Sequence, residues 1–144
     1  MRRVALLVLI TASLAGCAAR STATPPACFH AEESIETAIG YCEAVRTGNL
    51  LYVSGSVGKG EMSVAMRQAY DAIQRTLQAH GLGFRNVVHE TVYTTDLDAF
   101  IRNKEVRRQY FGAELPSATW VQVQRLYSAA AVVEVEVTAA FPPR

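Results

Sequence analysis

The chain has 144 residues, of which 50% are hydrophobic and 19% are charged, a composition typical of a globular domain. This length favours one domain with a small but real core. The formal net charge of +1 provides no global field that would attract nucleic acid or a membrane surface.

The first 17 residues are predicted to be a lipoprotein signal peptide and not part of the fold. Arg2 and Arg3 precede an apolar run that is too short for a permanent membrane span. The run ends in the residues LAGC, which resemble a bacterial lipobox with Cys17 as the lipidated residue. The alternative is an ordinary secretory signal in which this cysteine is incidental.

The residues after Cys17 predict a cell envelope lipoprotein tethered to a membrane. Ala18 stands where an aspartate would retain a lipoprotein at the inner membrane, which favours the outer membrane, facing the periplasm. Residues 18–28 are small, polar and proline-bearing, and they are predicted to be a flexible tether. Residues 29–144 are then the folded domain.

Two further cysteines, Cys28 and Cys42, can form a disulfide in an oxidising periplasm, which would tie the N-terminal segment to the domain. The alternative is two unpaired thiols, one exposed and one packed. His30, His80 and His89 are scattered without the spacing of metal ligands, so no metal site is predicted.

The first half of the domain predicts a hairpin followed by a helix. Residues 43–53 favour a β-hairpin with its turn at Gly48 and Asn49. The glycine-bearing residues 54–60 predict a loop, in which Gly55 either makes a plain turn or lets a ligand approach the backbone. A helix over 62–80 follows from one apolar stripe at helical spacing: Met62, Met66, Ala69, Tyr70, Ile73 and Leu77.

The second half begins with an alternating strand at residues 87–95 and a helix at about 97–111, capped by Thr95 or Asp96. Four basic side chains on that helix predict a solvated face, with a nucleic-acid contact as the less favoured alternative. They are Arg102, Lys104, Arg107 and Arg108.

Two alternating stretches, within residues 116–140, predict a final strand pair whose members face each other across a short connection. In the second stretch, three valines occupy one face, and Glu134 and Glu136 lie on the other. Two carboxylates on one strand face must be solvated, paired or used in chemistry. The predicted order is β-β-α-β-α-β-β, an α+β fold with two helices on one face of the sheet.

Five short stretches, taken together in this order, resemble the RidA/YjgF family, also called the endoribonuclease L-PSP family. They are AIGY at 38–41, GNLLYVSG at 48–55, TVYTTDLDAF at 91–100, LPSATWVQVQRL at 115–126 and VEVE at 133–136. The resemblance implies a chorismate-mutase-like fold, a homotrimer with a small-molecule cleft between subunits, and no cofactor. It also implies hydrolysis of reactive enamines and imines, such as 2-aminoacrylate, to 2-oxo acids and ammonia.

The resemblance assigns roles by position within these motifs. Glu134 matches the glutamate linked with water activation, and Tyr41 matches the cleft tyrosine. Gly55, Thr119 and Trp120 match positions that line the cleft. Two of these residues have a structural alternative: Glu134 could pair across the sheet or at the trimer seam, and Tyr41 could be a packed aromatic residue.

One residue departs from the family pattern. The arginine of the family motif P-A-R-S aligns with Ala118, which cannot bind a substrate carboxylate by charge. Whether Arg107 or Arg125 replaces it is left open by the sequence. Trp120 is bulky where relatives have small residues, which predicts a narrower or more apolar cleft.

Three functions follow from these observations. The first is an imine deaminase of the family type with a changed substrate or lost activity. The second is a non-catalytic, membrane-tethered trimer that binds a small ligand, and the third is a structural module with vestigial clefts. A ribonuclease is the weakest hypothesis, because the domain is nearly neutral and no histidine pair is apparent for phosphodiester cleavage.

Overall fold

The computed structural model describes residues 26–143. The strands of this part of the chain are β1 (Ala27–Phe29), β2 (Ala44–Thr47), β3 (Leu50–Lys59), β4 (Val87–Thr94), β5 (Ser117–Gln122) and β6 (Ala131–Ala140). The helices are α1 (Glu33–Ile39), α2 (Met62–Ala79), α3 (Leu97–Arg102) and α4 (Lys104–Phe111), with a 3₁₀ turn at Phe84–Asn86.

The strands form one mixed sheet in the order β1-β2-β3-β6-β4-β5. Strands β4 and β5 are parallel, and the other neighbouring pairs are antiparallel. Helix α2 packs on β3 and β6, and α3 and α4 continue the helical layer beside it. The predicted α+β fold is therefore confirmed. Strand β1 includes Ala27 and Cys28, so the predicted tether at 18–28 is too long at its C-terminal end.

The core lies between α2 and the covered face of the sheet. Along β6, the side chains at odd positions from 131 to 139 are buried and those at even positions are partly exposed, as the alternation predicted. All six residues of the predicted apolar stripe on α2 are buried, which confirms that helix. The helix begins at Met62 because the Glu61 carboxylate accepts hydrogen bonds from the backbone N–H groups of Ser63 and Val64.

The predicted loop at residues 54–60 is wrong, because β3 continues to Lys59 with a bulge between Val53 and Ser56. Gly58 belongs to this strand, where a Cβ atom would overlap the backbone of Ala65 in α2. The glycine therefore permits close packing of helix on sheet, and its presence does not indicate a turn.

The predicted pairing of the last two strands is also wrong, because β4 lies between them. On β4, Thr91 pairs with Thr119 of β5 on one side and with Glu136 of β6 on the other. The reason is the connection from β4 to β5, which runs through α3 and α4. A helical crossover brings two parallel strands side by side, so the other edge of β4 remains for β6.

The helix predicted at 97–111 is divided into α3 and α4 at Asn103. The Asn103 side-chain amide donates a hydrogen bond to the Ala99 carbonyl oxygen, which is a local alternative to continued helix. The division turns α4 so that Val106, Arg107 and Phe111 are buried against the rest of the domain.

Candidate active site

The open face of the sheet carries Glu134 at the centre of β6, next to the bulge of β3. The Glu134 carboxylate lies directly over the bare Cα of Gly55, where a Cβ atom would overlap Oε1. The role of Gly55 is thus to make room for a side chain of this domain. Across the sheet, Glu134 pairs with Tyr93 of β4.

The electrostatics of this face disfavour the charged form of Glu134 relative to that of an ordinary exposed glutamate. Burial raises the pKa of the Glu134 carboxyl group, and the negative charge of Glu136 raises it further. Glu136 accepts a hydrogen bond of 3.3 Å from the Tyr93 hydroxyl group. Among residues 26–143, no hydrogen-bond donor reaches Glu134 in the same way. A carboxylate with a raised pKa is a stronger base than an ordinary glutamate and accepts a proton more readily.

A cavity of about 630 Å³ opens beside Gly55, along the part of β3 that extends beyond β2. It lies between α1 and α2, and Tyr41 and Gly55 of the predicted site both line it. Tyr41 is 39% exposed, and its pKa is raised by burial and by nearby carboxylates. The volume is sufficient for a small metabolite.

Charged groups in the cavity wall are mostly acidic. Glu32, Glu36 and Glu43 line it together with one arginine, Arg75, which is exposed on α2. Burial raises the pKa of the Glu43 carboxyl group, although a 2.9 Å hydrogen bond from Thr76 partly offsets this effect. The cavity of a single chain is therefore better suited to a neutral or cationic group than to an anion.

The remaining predicted site residues lie on β5, apart from this cavity. Ala118 and Thr119 are exposed on β5, which is separated from β6 by β4. Two strand spacings correspond to about 10 Å, so within one chain these residues do not meet Glu134. Thr119 lies on the open face, as Glu134 does. Their pairing partners on β4, Thr91 and Tyr93, are two residues apart and therefore lie on the same face.

Trp120 points to the opposite side of the sheet, into the helical layer. Its indole ring contacts Phe100 edge-on, with 5.1 Å between ring centroids. Its Nε1–H group donates a 3.3 Å hydrogen bond to Glu90 Oε2. Strand alternation places Thr119 and Trp120 on opposite faces, so the two do not line the same wall of a cleft within one chain.

Residues 31–141 match the family model of endoribonuclease L-PSP, which covers most of the chain. The chain belongs to this family, the RidA/YjgF family. The match includes strands β2 to β6 and every residue that lines the cavity except Phe29 of β1.

Two curated relatives and one solved structure illustrate the likeness. A RutC family protein of Pyrococcus horikoshii is 32% identical over 95 residues, which are 60% of this chain and 75% of that protein. A human 2-iminobutanoate/2-iminopropanoate deaminase is 32% identical over 99 residues, covering 62% of this chain and 72% of that protein. The crystal structure of a YjgF/YER057c/UK114 family member from Mycobacterium tuberculosis has a TM-score of 0.73 and 31% identity, covering 80% of this chain and 98% of that chain.

The arginines considered as replacements for a cleft cation have other roles in this family member. Arg107 is buried, and its Nε–H group donates a 2.6 Å hydrogen bond to Glu90 Oε2, while its guanidinium group stacks over Phe111. The predicted solvated face is therefore wrong for Arg107, because α4 turns this residue inward. Arg125 is exposed, and its guanidinium group donates to the Tyr127 carbonyl oxygen at 3.4 Å.

A disulfide joins Cys28 to Cys42 next to the cavity, with 5.5 Å between their Cα atoms. His30 also belongs to this cluster, since its Nε2 lies 3.1 Å from Cys28 Sγ. Glu36 accepts from the other ring nitrogen of His30 at 2.8 Å. His30 was not predicted to belong to a cluster, because the three histidines lack the regular spacing of metal ligands. The usable signal was the Cys-x-His order, since residues two apart on a strand share a face.

The predicted lipidation residue Cys17 lies outside the described residues, as does most of the predicted tether. Within residues 26–143, no helix has the length and apolar character needed to cross a membrane.

Proposed function

We propose that this chain hydrolyses small enamines or imines to carbonyl compounds and ammonia, with a substrate preference that differs from that for 2-imino acids. One observation carries the proposal: a half-buried glutamate, Glu134, lies over a glycine beside a small-molecule cavity, and its pKa is raised. The named activity of the human relative, which acts on 2-iminobutanoate and 2-iminopropanoate, supports the reaction class.

The chemistry needs one proton shuttle and one water molecule. In the proposed step, Glu134 takes a proton from water as the water oxygen attacks the imine carbon, and then returns a proton to the nitrogen. The result is a carbinolamine. Glu134 then takes the proton of the carbinolamine hydroxyl group and delivers it to the amino nitrogen, while the carbonyl double bond forms, the carbon–nitrogen bond breaks and ammonia leaves. Placing one carboxylate for general acid–base catalysis contributes about 10²–10⁴-fold to a rate. The step requires no cofactor.

The complete cleft in this proposal lies between neighbouring copies of the chain. In one copy, Tyr41 and Gly55 line the cavity and Glu134 lies over Gly55 at the bulge, whereas Ala118 and Thr119 lie on the outer strand β5. A homotrimer of the kind that the family resemblance implies would bring β5 of one copy to the cavity of the next. The isolated chain has only part of the site.

The charges of the described residues support the changed substrate preference. Ala118 carries no charge, Arg107 is engaged by Glu90, and the cavity wall is acidic except for Arg75. A charge-assisted contact to a substrate carboxylate is worth about 1.5–3 kcal/mol, or about one to two powers of ten in affinity. An imine without a carboxylate does not need this contact, so the absence of an arginine does not lower its affinity. Such an imine is therefore the better substrate.

A second candidate function is a binding module without catalysis. The same acidic, arginine-poor cavity favours it, because a site can hold a neutral or cationic ligand without activating water. In either case we propose that Cys17 carries the lipid anchor and that the domain faces the periplasm at the outer membrane. The sequence pattern of residues 1–18 supports this placement.

The decisive assay compares two imines on the full-length chain with Cys17→Ser, which prevents lipidation. One is 2-iminopropanoate generated in the reaction mixture, and the other is an imine of similar size without a carboxylate. Release of ammonia is followed against buffer for the parent, for Ala118→Arg and for Ala118→Met, which has comparable length without charge. Sedimentation velocity on the same samples measures the oligomeric state.

We expect the parent to favour the uncharged imine and Ala118→Arg alone to gain about 10- to 100-fold on 2-iminopropanoate. If the parent already hydrolyses 2-iminopropanoate faster, the changed preference is wrong, and Arg75 becomes the first residue to replace. A trimer that is inactive on both imines, in parent and variants, would favour the binding module. A monomer would contradict the shared cleft in both functions.

A further inference from the structure

The cluster around Cys28 contains three groups that bind transition metals. Cys28 Sγ, Cys42 Sγ and His30 Nε2 all lie within 4.8 Å of one another. Two short elements bring them together: Cys28 and His30 project from the same side of the β1 segment, and Cys42 lies in the turn just before β2, with which β1 pairs. In the disulfide form, the sulfur atoms are bonded to each other and have no free thiolate.

Glu36 holds the histidine in the orientation that a ligand requires. Its side chain is only 3% exposed, and its carboxylate accepts backbone hydrogen bonds from Ala31 at 3.0 Å, Glu32 at 2.7 Å and Glu43 at 3.3 Å. It also contacts His30 Nδ1 at 2.8 Å. Because the carboxylate is an acceptor, His30 Nδ1 donates the proton in this contact, and the lone pair of the neutral ring is on Nε2, towards the sulfur of Cys28.

A carboxylate that orients a histidine towards sulfur ligands is the usual second layer of a zinc site in proteins. Two thiolates and one imidazole are the ligands of several catalytic zinc sites, and they leave one tetrahedral position for water. Soft sulfur ligands disfavour calcium and magnesium. Since Cys28 is exposed and the His30 side chain is 25% exposed, an ion can reach the cluster from solvent.

We propose that the reduced form of this protein binds one zinc ion through Cys28, Cys42 and His30, and that formation of the disulfide releases it. The redox state of the protein therefore switches the site, and zinc binding does not require that the proposed imine hydrolysis occurs. In both forms, the β1 segment is cross-linked to the turn that precedes β2. Since Glu36 and Tyr41 line the cavity, the cross-link supports one wall of the candidate active site.

The redox step is a thiol–disulfide exchange with a disulfide donor of the glutathione type. The two zinc-bound thiolates lose two electrons and form the bond between Cys28 and Cys42. The donor disulfide gains those electrons, takes up two protons and becomes two thiols. Zinc leaves as Zn²⁺ without a change in its own oxidation state.

The test uses the full-length chain with Cys17→Ser, so that only the two cysteines of the cluster remain. The protein is reduced, freed of reductant under anaerobic conditions, and titrated with Zn²⁺ in competition with a chromophoric chelator. Co²⁺ serves as a second probe, because its absorption reports thiolate ligation and tetrahedral geometry. Oxidised glutathione is then added to the zinc-loaded protein, and released metal is measured.

Matched variants distinguish zinc ligands and their supporting carboxylate from residues that have no contact with the site. His30→Asn removes the imidazole, and His89→Asn is its control, because His89 is exposed and bonds to Ser117 at the other side of the sheet. Glu36→Gln changes the orienting carboxylate, and Glu33→Gln is its control on the exposed side of α1. Circular dichroism of each reduced protein shows whether it is folded, so that loss of a ligand is distinguished from loss of the fold.

We expect one zinc ion per reduced chain, thiolate-to-cobalt absorption, and stoichiometric release on oxidation. Glu36→Gln should weaken binding by about 10- to 100-fold, and His30→Asn by at least as much, whereas both control variants bind like the parent. The proposal is overturned if reduced and oxidised proteins bind zinc equally. It is also overturned if folded His30→Asn binds zinc as tightly as His89→Asn, since the histidine would then not be a ligand.

Discussion

The two faces of the sheet each carry a glutamate in mid-strand, and the two residues have opposite environments. Glu90, on the covered face, is fully buried and accepts hydrogen bonds from Tyr70, Arg107 and Trp120 at 2.9, 2.6 and 3.3 Å. Glu134, on the open face, is half-buried, and its main neighbours are the bare Cα of Gly55 and the negative charge of Glu136.

The comparison separates a structural carboxylate from a reactive one. Glu90 is neutralised by a cation and saturated with donors, so it anchors α4 and β5 to the core and has no capacity left for chemistry. Glu134 lacks such compensation and keeps a raised pKa, which is the state of a group that exchanges protons. Four substitution experiments test this difference between Glu90 and Glu134, beginning with the largest expected effect.

Replacing the reactive carboxylate should abolish turnover without weakening the fold. Glu134→Gln is expected to lower kcat by about 10²–10⁴-fold, because glutamine cannot accept a proton from water. Since the raised pKa means that the charged form is disfavoured in the folded state, the variant should be at least as stable as the parent at pH 7. Ammonia release and urea unfolding measure the two quantities. Equal turnover in parent and variant would remove Glu134 from the mechanism.

Breaking the buried ion pair between Glu90 and Arg107 should weaken the fold. Glu90→Leu leaves the buried Arg107 without its partner and is expected to lower the free energy of unfolding by about 3–5 kcal/mol. The double variant Glu90→Leu/Arg107→Met removes both charges and should recover part of this loss. The control is Glu105→Gln, whose partner Arg108 is 3.7 Å away in an exposed pair, and its effect should stay below about 1 kcal/mol. Urea unfolding of the three variants measures the free energy of unfolding. If Glu90→Leu loses no more of this free energy than Glu105→Gln does, the structural role of Glu90 is wrong.

Adding one methyl group at Gly55 should displace Glu134. Gly55→Ala is expected to destabilise the protein by about 1–3 kcal/mol through steric overlap, and to lower activity as well. Gly83→Ala is the matched control, because nothing lies within 4 Å of a Cβ atom there. In the background Glu134→Ala, the cost of Gly55→Ala should shrink, since the overlapping side chain is gone. Additive losses in this cycle would show that the two residues do not contact each other.

The smallest effect is a change in pH dependence. Catalysis needs ionised Glu134, so activity should fall as the pH drops through the raised pKa of this group, above the ordinary glutamate value of 4.5. Glu136→Gln removes the neighbouring negative charge and should move this acidic limb to lower pH. The pH–rate profiles of parent and variant test the shift. A limb that stays in place would mean that another group titrates.

Part of the site was accessible from the sequence because it depends on local periodicity. The alternation of β6 placed Glu134 and Glu136 on one face and three valines on the other, as the structure confirms. The motif order indicated the family that the comparisons show. The glycines of β3 were misread as a loop, because the contacts that require them come from other elements: Ala65 of α2 contacts Gly58, and Glu134 of β6 contacts Gly55.

Other features arose from contacts that no local pattern encodes. The partnership of Arg107 with Glu90 spans 17 residues and depends on the helix break at Asn103, which turns α4 inward. The approach of Cys42 to Cys28 and His30 depends on β1 pairing with β2. Composition and periodicity would be the same if these side chains contacted other partners, so neither property predicts the observed contacts.

By itself, the sequence determined the helix of α2, the two faces of β6 and the α+β class, because side-chain periodicity acts within a few residues. Only the tertiary structure decided that β4 lies between β5 and β6, which glutamate is neutralised and which remains reactive. Strand order depends on how the crossover helices pack, and the pKa of a carboxyl group depends on burial and on charges brought from distant elements.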